Sequence, residues 1–180
     1  MIPALTGILA PHGLATSFES IASYTSTAGS TVTFSSIPST YTHLQLRIAN
    51  FTQSANQAPI FTFNSDSTSV YAYHEITGDG SSASAYGIAN TSNISNQYYG
   101  NTVNTSNYPS SCVMDILDYS NSNKFKVTRS LWGSDFNGSG RVGFGSGLWR
   151  STSVISSITI TCATDTLKAG CVFNLYGVKA

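Results

Sequence analysis

Apolar and polar residues alternate with a period of two along most of this chain. Every second residue is apolar in segments 43–48 and 157–162. Successive side chains of a strand point to opposite faces, so this alternation is typical of half-buried strands. Turn residues at 28–30, 78–80 and 121–123 separate such runs. The pattern predicts about ten strands, over 18–25, 30–36, 41–51, 58–64, 70–76, 111–119, 123–133, 140–149, 153–163 and 170–178.

The strand predicted at 123–133 is one of the alternating runs. Phe125 and Val127 are its apolar set, and Lys124, Lys126 and Thr128 are the polar residues between them. In a half-buried strand the apolar set faces the core. This pattern therefore predicts a core-facing Phe125 and Val127.

Helix signals are nearly absent, because no window keeps the i, i+3, i+4, i+7 apolar spacing of an amphipathic helix. A short helical turn near 84–90 is the one exception we expect. Ten strands at this spacing are typical of an antiparallel β-sandwich. With 180 residues, the chain is predicted to form one all-β domain over 18–180, preceded by an arm over 1–17.

The arm differs in composition from the rest of the chain. Residues 1–17 are largely apolar, and Pro3 and Pro11 make them poorly suited to a strand or helix. We expect this arm to pack on the body of the protein or on a neighbouring subunit. Its candidate interaction residues are Ile2, Leu5, Ile8, Leu9 and Leu14.

A second unusual segment, 79–110, is rich in Ser, Asn, Gly and Tyr. Long loops in compact domains are often functional, and these residue types are common in protein recognition surfaces. The segment is predicted to be a long loop or an extra hairpin. Its tyrosines are candidate interaction residues, namely Tyr86, Tyr98, Tyr99 and Tyr108.

Charge is the most unusual feature of the composition. Charged residues make up 9% of the chain, and eight basic and eight acidic residues cancel, whereas about 25% is usual. No basic cluster is present for nucleic acid or anionic lipid, so neither is an expected partner. Residues 1–10 hold no Lys or Arg and do not fit a secretory signal. A neutral surface suits a protein held in an assembly.

No motif for catalysis meets its structural requirement. Residues 138–143 match the spacing of a dinucleotide-binding loop, but the glycine-rich residues that follow cannot begin the required helix. Asp115 and Asp118 are three apart on a predicted strand and point to opposite faces. We therefore expect no catalytic residues, no cofactor and no enzymatic activity.

No metal site is expected either. The histidines lie far apart in the sequence, and only a chance meeting of His43 and His74 across a sheet would bring two together. Cys162 and Cys171 could face each other across a hairpin. The favoured interpretation of all three cysteines, Cys112 included, is that of small buried apolar residues.

Four aromatic residues cluster around glycines in the sequence, namely Trp132, Phe136, Phe144 and Trp149. An aromatic face beside a glycine loop can stack on sugar rings. Core packing or a subunit interface is the favoured interpretation.

Both ends of the domain resemble small structural proteins of tailed bacteriophage virions. The resemblance rests on residues 18–24 (FESIASY), 32–47 (VTFSSIPSTYTHLQLR) and 170–179 (GCVFNLYGVK). It leaves the middle of the chain, about 65–150, unassigned. No catalytic signature is part of it, so no functional residue is carried over.

The resemblance implies a jelly-roll-like sandwich, often a homotrimer, on the outside of a capsid or in the tail. The expected function is that of a capsid decoration, or cement, protein that stabilises the shell by symmetric packing. Its partners would be other copies of itself and the major capsid protein or another virion protein. The alternative is a tail-fibre or tail-tip adhesin that binds a host surface glycan or protein.

Overall fold

The structure, a computed structural model, describes residues 17–29, 31–52, 58–95, 108–162 and 167–179. Within these ranges the chain forms twelve β-strands and no helix. The strands belong to two antiparallel sheets, one of eight strands and one of four. This confirms the predicted all-β antiparallel sandwich. The predicted arm lies outside the described residues, apart from Ser17.

The eight-stranded sheet joins strands that are distant in the sequence. Its spatial order is β1 (Phe18–Thr25), β12 (Val172–Val178), β3 (His43–Phe51), β8 (Ser110–Leu117), β9 (Lys126–Asp135), β10 (Gly140–Trp149), β5 (Tyr71–Gly78) and β6 (Ala83–Thr91). The smaller sheet has the order β2 (Val32–Phe34), β11 (Ile158–Cys162), β4 (Pro59–Phe63) and β7 (Ile94–Ser95).

The core lies between the two sheets, because alternate residues of the strands point inward. Trp149 is almost fully buried at one end of this core. Its ring is stacked on that of Tyr71, and its Nε1 donates to Asp66 Oδ2 at 2.9 Å. Further buried residues come from both sheets, among them Val32, Leu46, Phe61, Met114, Ile160 and Leu175.

All ten predicted strands have a counterpart, and the bounds of β1 and β10 agree with the prediction. The prediction extended β11 too far toward its N-terminal side. Residues 153–157 are not a strand, because Asn64 Oδ1 accepts hydrogen bonds from the backbone N–H groups of Ser156 and Ser157. A side chain that takes up these groups competes with sheet pairing.

The predicted helical turn near 84–90 is wrong. These residues belong to β6, which pairs with β5 from Gly78 opposite Ala83 to Tyr71 opposite Thr91. Within segment 79–110, β6 is thus the second strand of a β5–β6 hairpin. Residues 96–107 of the segment lie outside the described residues.

The predicted orientation of β9 is also wrong. Lys126 is fully buried, whereas Phe125 is 51% exposed and Val127 is 38% exposed. Burial of Lys126 is tolerated because its ammonium donates to the carbonyl oxygens of Asn121, Lys124 and Thr152. Strand β9 consequently turns its apolar set outward.

Candidate interaction surface

One row of side chains on the outer face of the large sheet is apolar. The core and the small sheet lie against the opposite face. Ala85 pairs with Ile76, Ile76 with Phe144, Phe144 with Leu131, and Leu131 with Val113. The row therefore crosses five adjacent strands, from the open edge at β6 to β8. We call this row, together with the neighbouring Val142, the apolar strip.

The large side chains of the apolar strip are well exposed. Phe144 is 66% exposed and Ile76 is 65% exposed, and Val142 and Leu131 are close to half exposed. Single exposed apolar residues are common on protein surfaces, whereas a contiguous group is a candidate interaction site. The apolar strip is such a group.

Glycines explain why Phe144 points outward. Gly143 lies directly under the buried Trp132, and a Cβ at Gly143 would come within 2.3 Å of the indole ring. Only glycine leaves room for the indole on the core face of β10. Because side chains alternate along a strand, Val142 and Phe144 then face outward.

Two shallow hollows lie along the apolar strip. The larger, of about 630 Å³, has Ile76, Ala85 and Phe144 in its walls. The smaller, of about 320 Å³, is lined by residues that include Val113, Leu131 and Val142. The surface can therefore receive apolar side chains from a partner.

A polar network borders the apolar strip. The next row along the strands holds Arg129, Asp115 and Gln45 side by side. Arg129 Nη2 lies 3.6 Å from Asp115 Oδ2, and Gln45 Nε2 donates to Asp115 Oδ1 at 2.8 Å. Polar groups around an apolar centre are the usual arrangement of protein interfaces.

The apolar row becomes polar beyond β8. Val113 is opposite Arg47, Arg47 is opposite Asn174, and Asn174 is opposite Ser23. The Arg47 guanidinium lies 4.7 Å from the ring centre of Tyr176 and 5.2 Å from that of Phe18. The apolar strip thus covers only the half of the face that ends at the β6 edge.

A second concave feature, of about 570 Å³, lies between the β5–β6 and β9–β10 turns. Asp79, Phe136 and Arg141 are among its lining residues, and Asp79 Oδ2 is 3.9 Å from Arg141 Nη2. Backbone N–H groups of Ser81 and Ser82 hold the pKa of Asp79 at about 2. This turn cleft is therefore polar and charged, unlike the apolar strip.

Two of the predicted interaction tyrosines lie in the described chain. Tyr86 is half-buried on β6 with its ring 6.0 Å from that of Tyr73. Tyr108 is 39% exposed and its ring is 5.9 Å from Phe136, near the turn cleft. The others fall outside the described residues, namely Ile2, Leu5, Ile8, Leu9, Leu14, Tyr98 and Tyr99.

Asp115 and Asp118 each pair with a basic side chain. Asp118 lies 3.1 Å from Lys124 Nζ, whereas Asp115 pairs with Arg129. His43 on β3 and His74 on β5 are separated by three strands, so they do not meet. The described ranges contain no group of three potential metal ligands.

The cysteines and the glycine motif also have a structural explanation. None of the three cysteines forms a disulfide; Cys112 and Cys171 are buried and Cys162 is half-buried. Burial raises the pKa of Cys112 to about 12. The glycine motif at 138–143 forms the turn and first residues of β10, with no helix after it.

The sequence contained a signal for the apolar strip that period-two patterning misses. On β10, glycines at 143, 145 and 147 alternate with Val142, Phe144 and Leu148. The usual rule would place the larger residues inside. A neighbouring strand with a Trp at a matching position is the clue that the glycines face the core instead.

The described part of the chain has no helix of the length and apolarity needed to cross a membrane. No protein-family model, curated protein or solved structure matches this chain. The apolar strip is therefore identified from the geometry of this chain alone.

Proposed function

We propose that this protein is a structural component of a virion, a capsid decoration or cement protein that stabilises the shell as a homotrimer. The observation that carries the proposal is the apolar strip, with its contiguous exposed side chains and polar border. The resemblance of the chain ends to phage structural proteins supplies the setting. No enzymatic activity is part of the proposal.

The energetics favour binding through the apolar strip. Removing apolar surface from water contributes about 25 cal/mol per Å² before the costs of association. With 9% charged residues and no net charge, copies of the chain approach one another without strong repulsion. Such a surface suits permanent packing among symmetric neighbours.

The test is binding of the purified chain to capsids that lack it. We expect the wild-type chain to join the shells. The double variant with Phe144→Ser and Leu131→Ser should bind at least roughly tenfold more weakly, because about 1.4 kcal/mol of apolar contact is lost. Phe125→Ser is the matched control, since Phe125 is 51% exposed outside the apolar strip. Binding is measured by co-sedimentation.

Wild-type protein that never joins shells would refute the decoration role. Equal loss of binding in the Phe125→Ser control would refute the role of the apolar strip.

The second candidate function is a tail-fibre or tail-tip adhesin for a host glycan or protein. The turn cleft favours it, because Phe136 offers a ring face and Asp79 and Arg141 offer polar groups to a sugar. The buried positions of Trp132 and Trp149 give it no support. Labelled protein found only on heads excludes the adhesin; labelled protein found on tails that blocks adsorption favours it.

A further inference from the structure

We propose that residues 1–16 of one copy bind along the apolar strip of a neighbouring copy, so that the oligomer is held by exchanged N-terminal segments. The inference rests on the proposed function, since it assumes that copies of the chain pack together. Beyond the proposed function, it specifies that residues 1–16 and the apolar strip are the two parts in contact.

The chemistry of the segment matches that of the surface. Residues 1–16 contain no Asp, Glu, Lys or Arg and include Ile2, Leu5, Ile8 and Leu14. The apolar strip likewise contains no charged residue. Contact between the two therefore removes mainly apolar surface from water, with Arg47 at the wall of the smaller hollow and Glu75 at that of the larger.

The spacing of the apolar residues also fits. Ile2, Leu5, Ile8, Pro11 and Leu14 follow one another at every third position. A polyproline II segment has three residues per turn and rises about 3.1 Å per residue, so these side chains share one face about 9 Å apart. Two prolines favour this backbone conformation.

The strip offers a matching repeat. Neighbouring strands lie about 4.8 Å apart, so alternate strands are separated by about 10 Å. The smaller hollow reaches from β3 to β10, and the larger lies around Ile76 on β5. The part of the smaller hollow beside Leu131 on β9 is two strands from Ile76. Side chains at successive third positions, such as Leu5 and Ile8, can therefore occupy the two hollows together.

The direction of the chain at Ser17 favours a neighbouring copy over the same copy. Lys179 N donates to Ser17 O at 3.1 Å, so the β1–β12 pairing continues through Ser17. From there β1 runs toward Ser23, where the row of the apolar strip crosses the strand. To reach its own strip, the preceding segment would have to reverse direction and then cross Arg47 and Asn174.

The length of the segment is sufficient for exchange. Sixteen residues in the polyproline II conformation span about 50 Å. The whole eight-stranded sheet is about 34 Å wide, from seven spacings of about 4.8 Å. The segment can leave one molecule and still cover the five strands of the apolar strip on the next.

Disulfide trapping between two differently tagged copies tests the inference. One copy carries Ile8→Cys and the other Leu131→Cys, both with Cys162→Ser to remove the half-buried native thiol. We expect a covalent mixed dimer under mild oxidation. The control replaces Leu131→Cys by Ser23→Cys, which lies exposed on the polar half of the same row.

Deletion of residues 1–16 is the second measurement. We expect the oligomer to dissociate at a protein concentration at least tenfold lower for the wild type than for the deletion variant, measured by analytical ultracentrifugation. Leu131→Ser should weaken the oligomer similarly, and the two changes together should cost little more than either alone.

Trapping no stronger than in the Ser23→Cys control overturns the inference. So does a variant carrying Ile8→Cys and Leu131→Cys together that closes only within one chain. If trapping fails while the full chain still joins capsids, the exchange is wrong and the decoration role stands. If trapping succeeds while capsid binding fails, the decoration role is wrong and the exchange stands.

Discussion

Gly143 shows how one residue sets the orientation of a strand. The indole of Trp132 occupies the space where a Cβ at Gly143 would lie, only 2.3 Å from ring atoms. The glycine thereby places Trp132 in the core and Phe144 on the surface. The exposure of the apolar strip thus depends on a residue that does not belong to it.

Gly143→Ala is expected to lower the free energy of unfolding by about 1 to 3 kcal/mol, because the added methyl group overpacks a filled core. Urea denaturation followed by Trp fluorescence measures the change. Gly133→Ala is the matched control, since its Cβ would lie 3.4 Å from Arg141 O, an ordinary contact. Equal destabilisation by both variants would contradict this account.

At the scale of an element, the β8–β9 turn is organised by a buried lysine. Lys126 opens β9 with its side chain directed inward, where its ammonium meets three carbonyl oxygens, two of them in the turn before β9. Burial lowers the pKa of Lys126 from its usual value. The three hydrogen bonds offset the cost of burying the Lys126 ammonium. They also hold the β8–β9 turn against Thr152.

Lys126→Met keeps the length of the side chain and removes the donors. We expect the free energy of unfolding to fall by about 1 to 3 kcal/mol, because buried carbonyl groups lose their partners. Chemical denaturation measures the loss. Lys124→Met is the control, because Lys124 is 63% exposed and makes one surface ion pair.

If Lys126→Met lowered the free energy of unfolding no more than Lys124→Met, the hydrogen bonds from Lys126 to the three carbonyl groups would not contribute to stability.

The β5–β6 hairpin is a second element in which local groups decide the structure. Arg150 Nη2 donates to Asn90 Oδ1 and to Ser69 O, both at 2.7 Å, and so ties the end of β6 to the start of β5. Asn90 has a positive φ of 57° beside the register shift of the two strands. The edge strand that carries Ala85 is thereby fixed to the sheet.

For the whole molecule, three carboxylates with lowered pKa values determine how stability depends on pH on the acid side. Hydrogen bonds from Thr68 and Trp149 lower the pKa of Asp66. The pKa of Asp79 is held at about 2 by backbone N–H groups, and that of Glu19 is lowered by hydrogen bonds from Lys179 and Tyr41. All three bind protons more weakly in the folded chain than in the unfolded chain.

Between pH 7 and about pH 5 these three carboxylates should leave stability unchanged. Stability should fall as the pH drops further through the lowered pKa values, because the unfolded chain takes up more protons there. Thermal melts between pH 7 and pH 2 measure this. Asp66→Asn should lower the Tm at pH 7 and make the acid-side loss shallower. A Tm that rises on acidification would contradict the assignment.

The sequence predicted most of the strands because their alternation follows from burial of one face of a sheet. It identified the bounds of β1 and β10, where turn residues flank a clear pattern. It missed β6, because this edge strand is largely exposed and rich in Ala and Ser, and so has no regular apolar face. Its pairing with β5 comes from the turn at Asp79 and from the neighbouring strand.

The sequence by itself determined the all-β class, the low charge and the absence of a recognisable catalytic motif, because these depend on residue type and local period. Only the tertiary structure decided which face of β9 and β10 is exposed. That choice depends on contacts between strands, with Trp132 filling the space over Gly143 and carbonyl oxygens accepting from Lys126. The apolar strip exists because packing, which is non-local, overrode the local pattern.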